Sequence, residues 1–390
     1  MKRGLAVLTL AAAVVAAAAV SNAQRQAGHA FSPASRAPSD ALIHQLKVPD
    51  GFAISVVARD VGNPRMMTVG VDGTVYVTRP ASDDVLAFKD PGGEQAAAAG
   101  TPVLTGLESA HGLVIHQGRL YVAGVRKIVA ADLEPGGGVG AWRTLVDNLP
   151  RGGAGHDRRT LGVGPDGMLY VSIGSSCNAC RESNPEQATI LRLPLDGRGR
   201  RVFASGLRNT IGFGWHPGTK VMWGMDHGAD WRGDDQPPEE LNQLVEGRNY
   251  GWPYCIADRR PDPFFDDPPG QTKAAYCART EPPVLGYQAH SAPIALVFYT
   301  GTRFPAEYRH DAFVAMHGSW NRQPATGYKV VRAHFENGRP TRFEDFLSGF
   351  LIEDGRAHFG RPAGLAVTRD GALLVSDDAN GMIYRVAYTR

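Results

Sequence analysis

Apolar and polar residues alternate in short segments along most of the chain, and one unit recurs. In its clearest copy, residues 161–171, an alternating segment leads into Pro165-Asp166-Gly167, and Leu169-Tyr170-Val171 then open the next segment. Alternation with a period of two is typical of β-strands, and proline followed by glycine sets up a tight turn. The unit is therefore predicted to be a strand, a turn and a returning strand.

Six copies of this unit can be found, roughly 50 residues apart where the spacing is most regular. They begin near Arg65, His111, Gly155, Arg208, Ala292 and Arg361, and the fifth copy is the weakest. Further strand-like segments follow the units, at Asp84–Phe88, Lys127–Ala131, Thr189–Leu193, Gly327–His334 and Gly381–Tyr388. The pattern predicts an all-β protein, a six-bladed β-propeller with four-stranded blades.

The domain organisation follows from this repeat. Residues 46–390 are predicted to form a single propeller, in which the strand near Phe52–Val57 pairs beside the last blade. Residues 232–290 are rich in proline, glycine, aspartate and aromatic residues, and we expect them to be a loop insertion packed over one face.

The first residues resemble a targeting segment. Lys2 and Arg3 precede an apolar run from Leu5 to Val20, and small residues follow at Ser21 and Ala23. Residues 1–23 are predicted to be a cleaved signal peptide, because the run is shorter than the ~20 residues that span a bilayer. A retained anchor is the alternative. Residues 24–45 are expected to be a flexible arm, and the protein to be periplasmic or secreted, with no membrane span.

Charge and cysteine content narrow the picture further. The 41 basic and 39 acidic residues nearly balance, which gives no support for nucleic-acid binding. In an exported protein, four cysteines indicate disulfides, and proximity in the sequence predicts the bridges Cys177–Cys180 and Cys255–Cys277. A redox-active pair or a zinc site would be the alternatives, but no βαβ pattern surrounds the first pair and the gap between the pairs is long.

The starts of the repeats carry the candidate chemistry. In a propeller, the first strand of each blade begins near the central axis, so these residues would converge: Arg65, His111, His156 with Arg158 or Arg159, Arg208 with Asn209, and Arg361. Guanidinium groups bind carboxylates in a bidentate manner, so such a ring predicts an anionic ligand. The alternative is that some arginines only brace neighbouring blades, and that His156 is an ordinary loop histidine.

A set of motifs in this order resembles a known family. The motifs are His156 before a repeat strand, Gly206-Leu207-Arg208-Asn209, Asp226-His227-Gly228, Glu240-Leu241-Asn242 and Asn249-Tyr250-Gly251-Trp252-Pro253. Together they resemble the soluble sugar dehydrogenases that depend on pyrroloquinoline quinone (PQQ), in the glucose/sorbosone dehydrogenase family. The closest branch is similar to L-sorbosone and pyranose dehydrogenases, and the resemblance covers about residues 48–388.

The resemblance implies roles for individual residues. His156 would be the general base that takes the proton of a sugar hydroxyl as hydride passes to PQQ, with Arg208 beside it as the second catalytic residue. The expected cofactor-binding residues are Arg208, Asn209, Arg322, Arg361 and His111. The main-chain carbonyls of Gly228 and Ala229 would hold a Ca²⁺ ion that polarises the quinone.

Two departures from the family pattern affect these expectations. Ala229 stands where the glucose-oxidising enzymes have proline, which a main-chain carbonyl ligand tolerates. Gly155 stands where they have an aspartate beside the base, so another carboxylate, Asp157 or Asp226, would have to orient His156.

The predicted function is oxidation of a sugar or sugar aldehyde, with Ca²⁺ and PQQ as cofactors. Since the sequence contains no fused haem domain, we expect a separate electron acceptor, a cytochrome c or a quinone-linked partner. The rival functions are a calcium-dependent lactonase on a six-bladed propeller and a non-catalytic binding propeller. The lactonase would need carboxylate and asparagine side chains on the axis, where this sequence places arginine and histidine.

Overall fold

Each of the six repeats corresponds to a four-stranded antiparallel sheet. The computed structural model describes residues 27–92 and 100–389, so the predicted signal peptide lies outside the described residues. The strands of the first half are β1 (Ala34–Ser35), β2 (Phe52–Ala58), β3 (Met67–Val69), β4 (Thr74–Arg79), β5 (Asp84–Lys89), β6 (Thr101–Leu104), β7 (Leu113–His116), β8 (Arg119–Ala123), β9 (Ile128–Asp132), β10 (Arg143–Val146), β11 (Leu161–Val163), β12 (Leu169–Ile173), β13 (Thr189–Leu193) and β14 (Arg201–Ser205).

The second half continues the same pattern and adds some short elements. Its strands are β15 (Gly212–Trp215), β16 (Met222–Asp226), β17 (Glu239–Leu244), β18 (Cys255–Ile256), β19 (Arg260–Pro261), β20 (Leu285–Tyr287), β21 (Pro293–Phe298), β22 (Ala312–Met316), β23 (Lys329–Glu336), β24 (Arg339–Leu347), β25 (Leu351–Ile352), β26 (Ala357–His358), β27 (Pro362–Val367), β28 (Leu373–Asp377) and β29 (Met382–Tyr388). The described helices are α1 (Asp40–Ile43), α2 (Lys273–Cys277) and three 3₁₀ turns, Pro135–Gly137, Ala306–Tyr308 and Glu353–Gly355.

The sheets follow the order of the chain. Sheet I contains β3 to β6, sheet II β7 to β10, sheet III β11 to β14, sheet IV β15, β16, β17 and β20, and sheet V β21 to β24. Sheet VI contains β27 to β29 and takes β2 as its fourth strand, paired antiparallel with β29 from Phe52↔Tyr388 onward. The all-β prediction and the repeated four-stranded unit are confirmed.

The turns explain why these segments form hairpins. In sheet III, Gly167 adopts φ +73°, and the side chain of Asp166 accepts hydrogen bonds from Met168 N at 3.1 Å and from Tyr170 Oη at 3.0 Å. The aspartate thus ties the turn to the returning strand β12, whose Val171 pairs with Leu161 of β11. The pairs Asp72-Gly73 and Asp370-Gly371 stand at the equivalent turns of sheets I and VI, each with its glycine at positive φ.

Neighbouring sheets pack through their first strands. β3 contacts β7, β7 contacts β11, β15 contacts β21, β21 contacts β27, and β27 contacts β3. Sheets III and IV meet where Gly162 lies against Phe213 and Trp215. Glycine is required at some of these junctions: a Cβ at Gly112 would lie 2.4 Å from the carbonyl oxygen of Arg159. The starts of the first strands are therefore held close together.

Two predicted segments differ from expectation. The described part of the 24–45 arm is attached to the fold, because β1 pairs in parallel with β26 and Ile43 of α1 is buried in the core. The 232–290 segment is not wholly an insertion, because it contributes β17 and β20 to sheet IV. The loops between these two strands carry the β18–β19 hairpin and α2.

The structure contains both predicted disulfides, Cys177–Cys180 and Cys255–Cys277. Within residues 27–92 and 100–389, no helix combines the length and the apolar character that crossing a membrane requires.

Candidate functional site

A cavity of about 320 Å³ opens where the first strands begin. Its volume is in the range of sites for small molecules. Most of its walls are polar or charged, and they include Arg65, His156, Arg158, Arg208, Asn209, His227, Gly228, Asp230, Glu239, His290, His317, Trp320, Asn321 and Arg361. The structure therefore brings together His156, Arg208, Asn209 and Arg361 from the starts of the repeats, and Gly228 lines the same cavity.

His156 is buried and has a defined tautomer. Its Nδ1 lies 2.8 Å from Oγ of Ser175, and that hydroxyl donates to the carbonyl oxygen of Cys177 at 2.7 Å. Since a hydroxyl has a single proton, Nδ1 must be the protonated nitrogen, and Nε2 keeps its lone pair. Burial, the nearby Arg208 guanidinium and His227 lower the pKa of His156 to about 2, so the ring is neutral.

This arrangement corrects the expectation about the group that orients His156. Neither Asp157 nor Asp226 bonds to the imidazole; Ser175 does. Asp226 instead accepts hydrogen bonds from the main-chain N–H groups of Arg208 and Asn209, at 2.9 and 2.8 Å. It thereby fixes the segment that presents these two side chains to the cavity.

Arg208 is buried and held on two sides. Its Nε donates to the carbonyl oxygen of Asn178 at 2.9 Å, and its Nη2 donates to Oδ1 of Asn178 and Oδ2 of Asp230, each at 2.9 Å. Its Nη1 has no partner among the described residues, and neither has the side-chain amide of Asn209. Both residues therefore keep polar groups for a ligand in the cavity.

Three further arginines line the cavity, and they differ in their partners. Arg65 forms an ion pair with Asp378, which also accepts from His317 Nε2 at 2.8 Å. Arg361 donates to the carbonyl oxygens of His317 and Gly318, at 3.1 and 2.9 Å.

The side chain of Arg158 makes no hydrogen bond or ion pair with any described residue. Burial and the neighbouring Arg65 lower the pKa of its guanidinium.

Two arginines and one histidine that the sequence suggested for the site lie outside the cavity. Arg159 is fully buried and donates to the main-chain carbonyls of Val125, Pro150, His156 and Arg158, so it braces the loop.

Arg322 does not line the cavity, because its nitrogens are engaged by the carbonyl oxygens of Asp234 and Pro324 and by the Asp235 carboxylate. The cavity wall next to it is formed by Trp320 and Asn321.

His111 also lies behind the wall of the cavity. It is fully buried, and its Nδ1 lies 3.2 Å from the carbonyl oxygen of Arg159. That carbonyl can only accept, so Nδ1 is protonated, and Nε2 is buried without a partner among the described residues. Burial and the nearby Arg65 and Arg158 lower the pKa of His111 well below its usual value.

The two predicted metal ligands share a small cavity, and one of them also lines the main cavity. Gly228 lines the main cavity, whereas Ala229 lines only a second, small cavity of about 20 Å³ that Gly228 also lines. Glu239 accepts from Gly228 N at 3.0 Å and from Ala292 N at 2.9 Å. Among the hydrogen bonds of the described residues, none ends on the carbonyl oxygen of Gly228 or Ala229. Both carbonyl oxygens thus lack a hydrogen-bond donor among the described residues.

Several residues of the site were not predicted from the sequence. Asp230 bridges Arg208 and Asn321, whose Nδ2 donates to its Oδ1 at 2.7 Å. Trp320 stands half-exposed at the rim, with its ring edge-on to that of Trp231. The motif around Arg322 contained Trp320 and Asn321, and these two neighbours line the cavity, whereas Arg322 does not.

Comparison with known proteins identifies the family. A sequence model of the TrAA12-like family matches residues 46–389. The chain belongs to this family. The resemblance to PQQ-dependent sugar dehydrogenases drawn from the motifs is thereby confirmed.

Two relatives of this TrAA12-like chain match most of its length. A PQQ-dependent pyranose dehydrogenase of Coprinopsis cinerea is 26% identical over 413 residues, which cover 87% of this chain. The match covers 54% of that enzyme, so the chain corresponds to about half of its length. An uncharacterised protein of Borreliella burgdorferi is 29% identical and covers 90% of this chain and 93% of its own.

Solved structures show the same fold. The holo form of the PQQ domain of the Coprinopsis cinerea pyranose dehydrogenase superposes with a TM-score of 0.73 at 23% identity, covering 92% of this chain and 99% of that domain. A calcium structure of a Trichoderma reesei enzyme of carbohydrate-active family AA12 superposes with a TM-score of 0.75 at 22% identity, covering 88% and 97%.

Proposed function

We propose that this chain is an exported PQQ-dependent dehydrogenase that oxidises a sugar or a sugar aldehyde, with His156 as the general base. The observation that carries the proposal is the unpaired Arg158 guanidinium, which faces the same cavity as Arg361, Arg208 and a neutral His156 with a free Nε2. A desolvated cation without a counter-ion is costly unless an anionic ligand completes the site.

The scaffold belongs to the same proposal. The six sheets, the chain of contacts between their first strands and the pairing of β2 with β29 support a six-bladed propeller. In that arrangement the cavity lies on the axis. The basic and apolar pattern of residues 1–23 and the two disulfides support export to the periplasm or the medium.

The cavity suits PQQ, which has three carboxylates and an ortho-quinone. Arg158 and Arg361 would hold carboxylates, and Arg208 Nη1 and the Asn209 amide would contact the quinone oxygens. The unbonded carbonyls of Gly228 and Ala229 are suitable ligands for Ca²⁺, which favours oxygen donors. When bound, the cofactor supplies the acceptor for hydride, and the protein supplies orientation and a base.

The protein's own part of the reaction centres on Nε2 of His156. The Ser175 hydroxyl keeps the proton on Nδ1, so Nε2 can accept the proton of a substrate hydroxyl, or of the water added to an aldehyde. Arg208, beside the imidazole, would stabilise the negative charge that the quinone oxygens gain when the hydride is transferred. Anionic carboxylates held by the arginines would offset the positive charges that lower the pKa of His156.

Features at the rim support a sugar substrate. Trp320 and Trp231 offer an aromatic surface at the mouth, and apolar ring faces suit the C–H faces of a pyranose. We propose that reduced cofactor is reoxidised by a separate cytochrome c or quinone-linked acceptor.

The lactonase function receives less support. Asp230 and Glu239 line the cavity, but each is engaged by protein donors. Among the described residues, the only cluster of three candidate metal-ligating side chains is Cys177, Cys180 and Glu182, and its cysteines form a disulfide.

A reconstitution experiment tests the proposal. The purified protein is titrated with PQQ in calcium and assayed for dye-linked oxidation with pentoses, hexoses and their aldehydes. We expect saturable activity that requires both PQQ and calcium and falls at least ~10²-fold in His156→Ala. No PQQ binding in millimolar calcium would refute the proposal, and binding without oxidation of any substrate would favour the non-catalytic alternative.

A further inference from the structure

One small loop reaches both proposed catalytic residues. The disulfide Cys177–Cys180 closes residues 177–180, which we call the bridge loop. The carbonyl oxygen of Cys177 accepts the Ser175 hydroxyl at 2.7 Å, and this bond forces Ser175 to accept from His156. Without that acceptor, the hydroxyl would be free to donate to Nδ1, which would move the ring proton to Nε2.

Asn178, inside the bridge loop, holds Arg208 and its partner at the same time. Its carbonyl oxygen and Oδ1 accept from Arg208 Nε and Nη2, each at 2.9 Å. Oδ1 also accepts from Asp230 N at 2.8 Å, and Nδ2 donates to the carbonyl oxygen of Asp230 at 3.1 Å. Two parallel bonds fix the plane of the guanidinium, because its donors have a rigid fork geometry.

We propose that the bridge loop is the positioning element of the site, in which Cys177 selects the tautomer of His156 and Asn178 aims Arg208. The roles given to these two residues rest on the proposed function. The placement itself rests on four hydrogen bonds whose acceptors all belong to one four-residue ring, and the covalent bridge limits how far Cys177 and Asn178 can move relative to each other.

The first test reads the tautomer in the apo-protein and needs no cofactor. Long-range ¹H–¹⁵N correlation spectra of the ¹⁵N-histidine-labelled chain report which ring nitrogen carries the proton, and His156→Asn identifies the signal among the 12 histidines. We expect a single Nδ1–H form in the parent and the Nε2–H form, or a mixture, in Cys177→Ser/Cys180→Ser and in Ser175→Ala. An unchanged Nδ1–H form in the double variant would overturn the proposal.

The second disulfide provides a matched control. No hydrogen bond of the described residues links Cys255 or Cys277 to His156 or Arg208, so Cys255→Ser/Cys277→Ser should change the melting temperature and not the tautomer. In that background, a dithiol that reduces the remaining bridge should change the spectrum of the apo-protein as the first double variant does. If the spectrum is the same before and after reduction, the bridge has no positioning role.

The second test uses turnover and does not require loss of the bridge. Asn178→Ala should lower kcat about 10- to 100-fold, because a misplaced guanidinium costs up to about 10² in rate. Its melting temperature should stay near that of Asn184→Ala, a matched asparagine whose side chain only accepts a local bond from Glu186 N at 2.9 Å. Equal kcat values for the two variants would refute the role of Asn178. If the parent oxidises no sugar, the proposed function fails, and the tautomer experiment still decides the role of Cys177.

Discussion

Arg65 and Arg158 face the same cavity, but only Arg65 has a carboxylate partner. Asp378 forms an ion pair with Arg65 and a hydrogen bond with His317. Burial raises the pKa of Asp378, but these two partners outweigh burial and hold that pKa well below its usual value. Arg158 has no such partner among the described residues. One guanidinium is therefore part of the scaffold, and the other remains available to a ligand.

Removing Arg158 should affect the ligand and not the fold. Loss of one charge-assisted contact costs roughly 1.5–3 kcal/mol, so Arg158→Ala should weaken PQQ binding by about 10- to 100-fold, measured by calorimetry. Thermal stability should stay the same or rise, because the electrostatic repulsion between Arg158 and Arg65 is removed. The adjacent Arg159→Ala is the control. Four carbonyls lose a donor there, so it should unfold at a lower temperature. If both variants changed PQQ affinity and melting temperature alike, Arg158 would not be a ligand-binding residue distinct from the structural Arg159.

His156→Ala should abolish turnover and keep the cofactor. A general base contributes typically ~10²–10⁴-fold in rate, and the arginines that would hold the carboxylates remain. Stopped-flow reduction of bound PQQ by substrate measures the step directly. His116→Ala, a change on strand β7 outside the cavity, should leave the rate unchanged. Unimpaired reduction in His156→Ala would remove His156 from the mechanism, and lost PQQ binding would make it a cofactor contact.

Calcium and PQQ should bind cooperatively. The expected metal ligands from the protein are only two main-chain carbonyls, so the ion depends on the cofactor, and thermodynamic coupling is reciprocal. Arg361→Ala should therefore weaken both PQQ binding and apparent calcium affinity, by at least ~1.5–3 kcal/mol for the cofactor. Titrations of each ligand at fixed concentrations of the other test this. PQQ that binds equally well after EDTA treatment would contradict the coupling.

Because Asp377 is buried, we predict that the free energy of unfolding depends on pH. Burial and the adjacent Asp378 raise the pKa of Asp377 to about 7, although it accepts from Arg361 N at 2.8 Å. In the unfolded chain its pKa is about 3.8. The folded state therefore binds more protons between these values, and this contribution to stability is lost as the pH rises from about 4 through 7.

Asp377→Asn should remove that part of the pH dependence. Denaturant unfolding of the parent and the variant at pH 5 and pH 8.5 should show a smaller decline for the variant. Asp354→Asn makes the same chemical change at an exposed site, so its stability should decline with pH as much as that of the parent. A decline of equal size in all three proteins would mean that Asp377 does not titrate in this range.

The repeat was predictable from the sequence because its signals are local. Alternation and the Asp-Gly turns specify each hairpin, and the strand predicted at Thr189–Leu193 has the observed bounds. The boundary of the 232–290 segment was wrong because β17 and β20 pair across some 40 residues of loop, and nothing local in Glu239–Leu244 reports that distant pairing.

The site was predictable only where a strand start fixes the direction of a side chain. His156, Arg208 and Arg361 precede first strands, and all three line the cavity. Arg322 lies in an irregular loop, where no period shows which of three neighbouring side chains faces inward. Ser175 and Asn178 act through hydrogen bonds that depend on how the bridge loop folds, and the sequence offered only the two cysteines as a signal.

The pairing of β2 with β29 has a consequence for biogenesis. Synthesis proceeds from the amino terminus, so β2 leaves the ribosome long before its partner β29 has been made. Until then β2 has an unpaired edge, which is a template for wrong pairing. Sheet VI can therefore form only after β29 has been made, and until then the edge of β2 has to be kept from pairing with other copies of the chain.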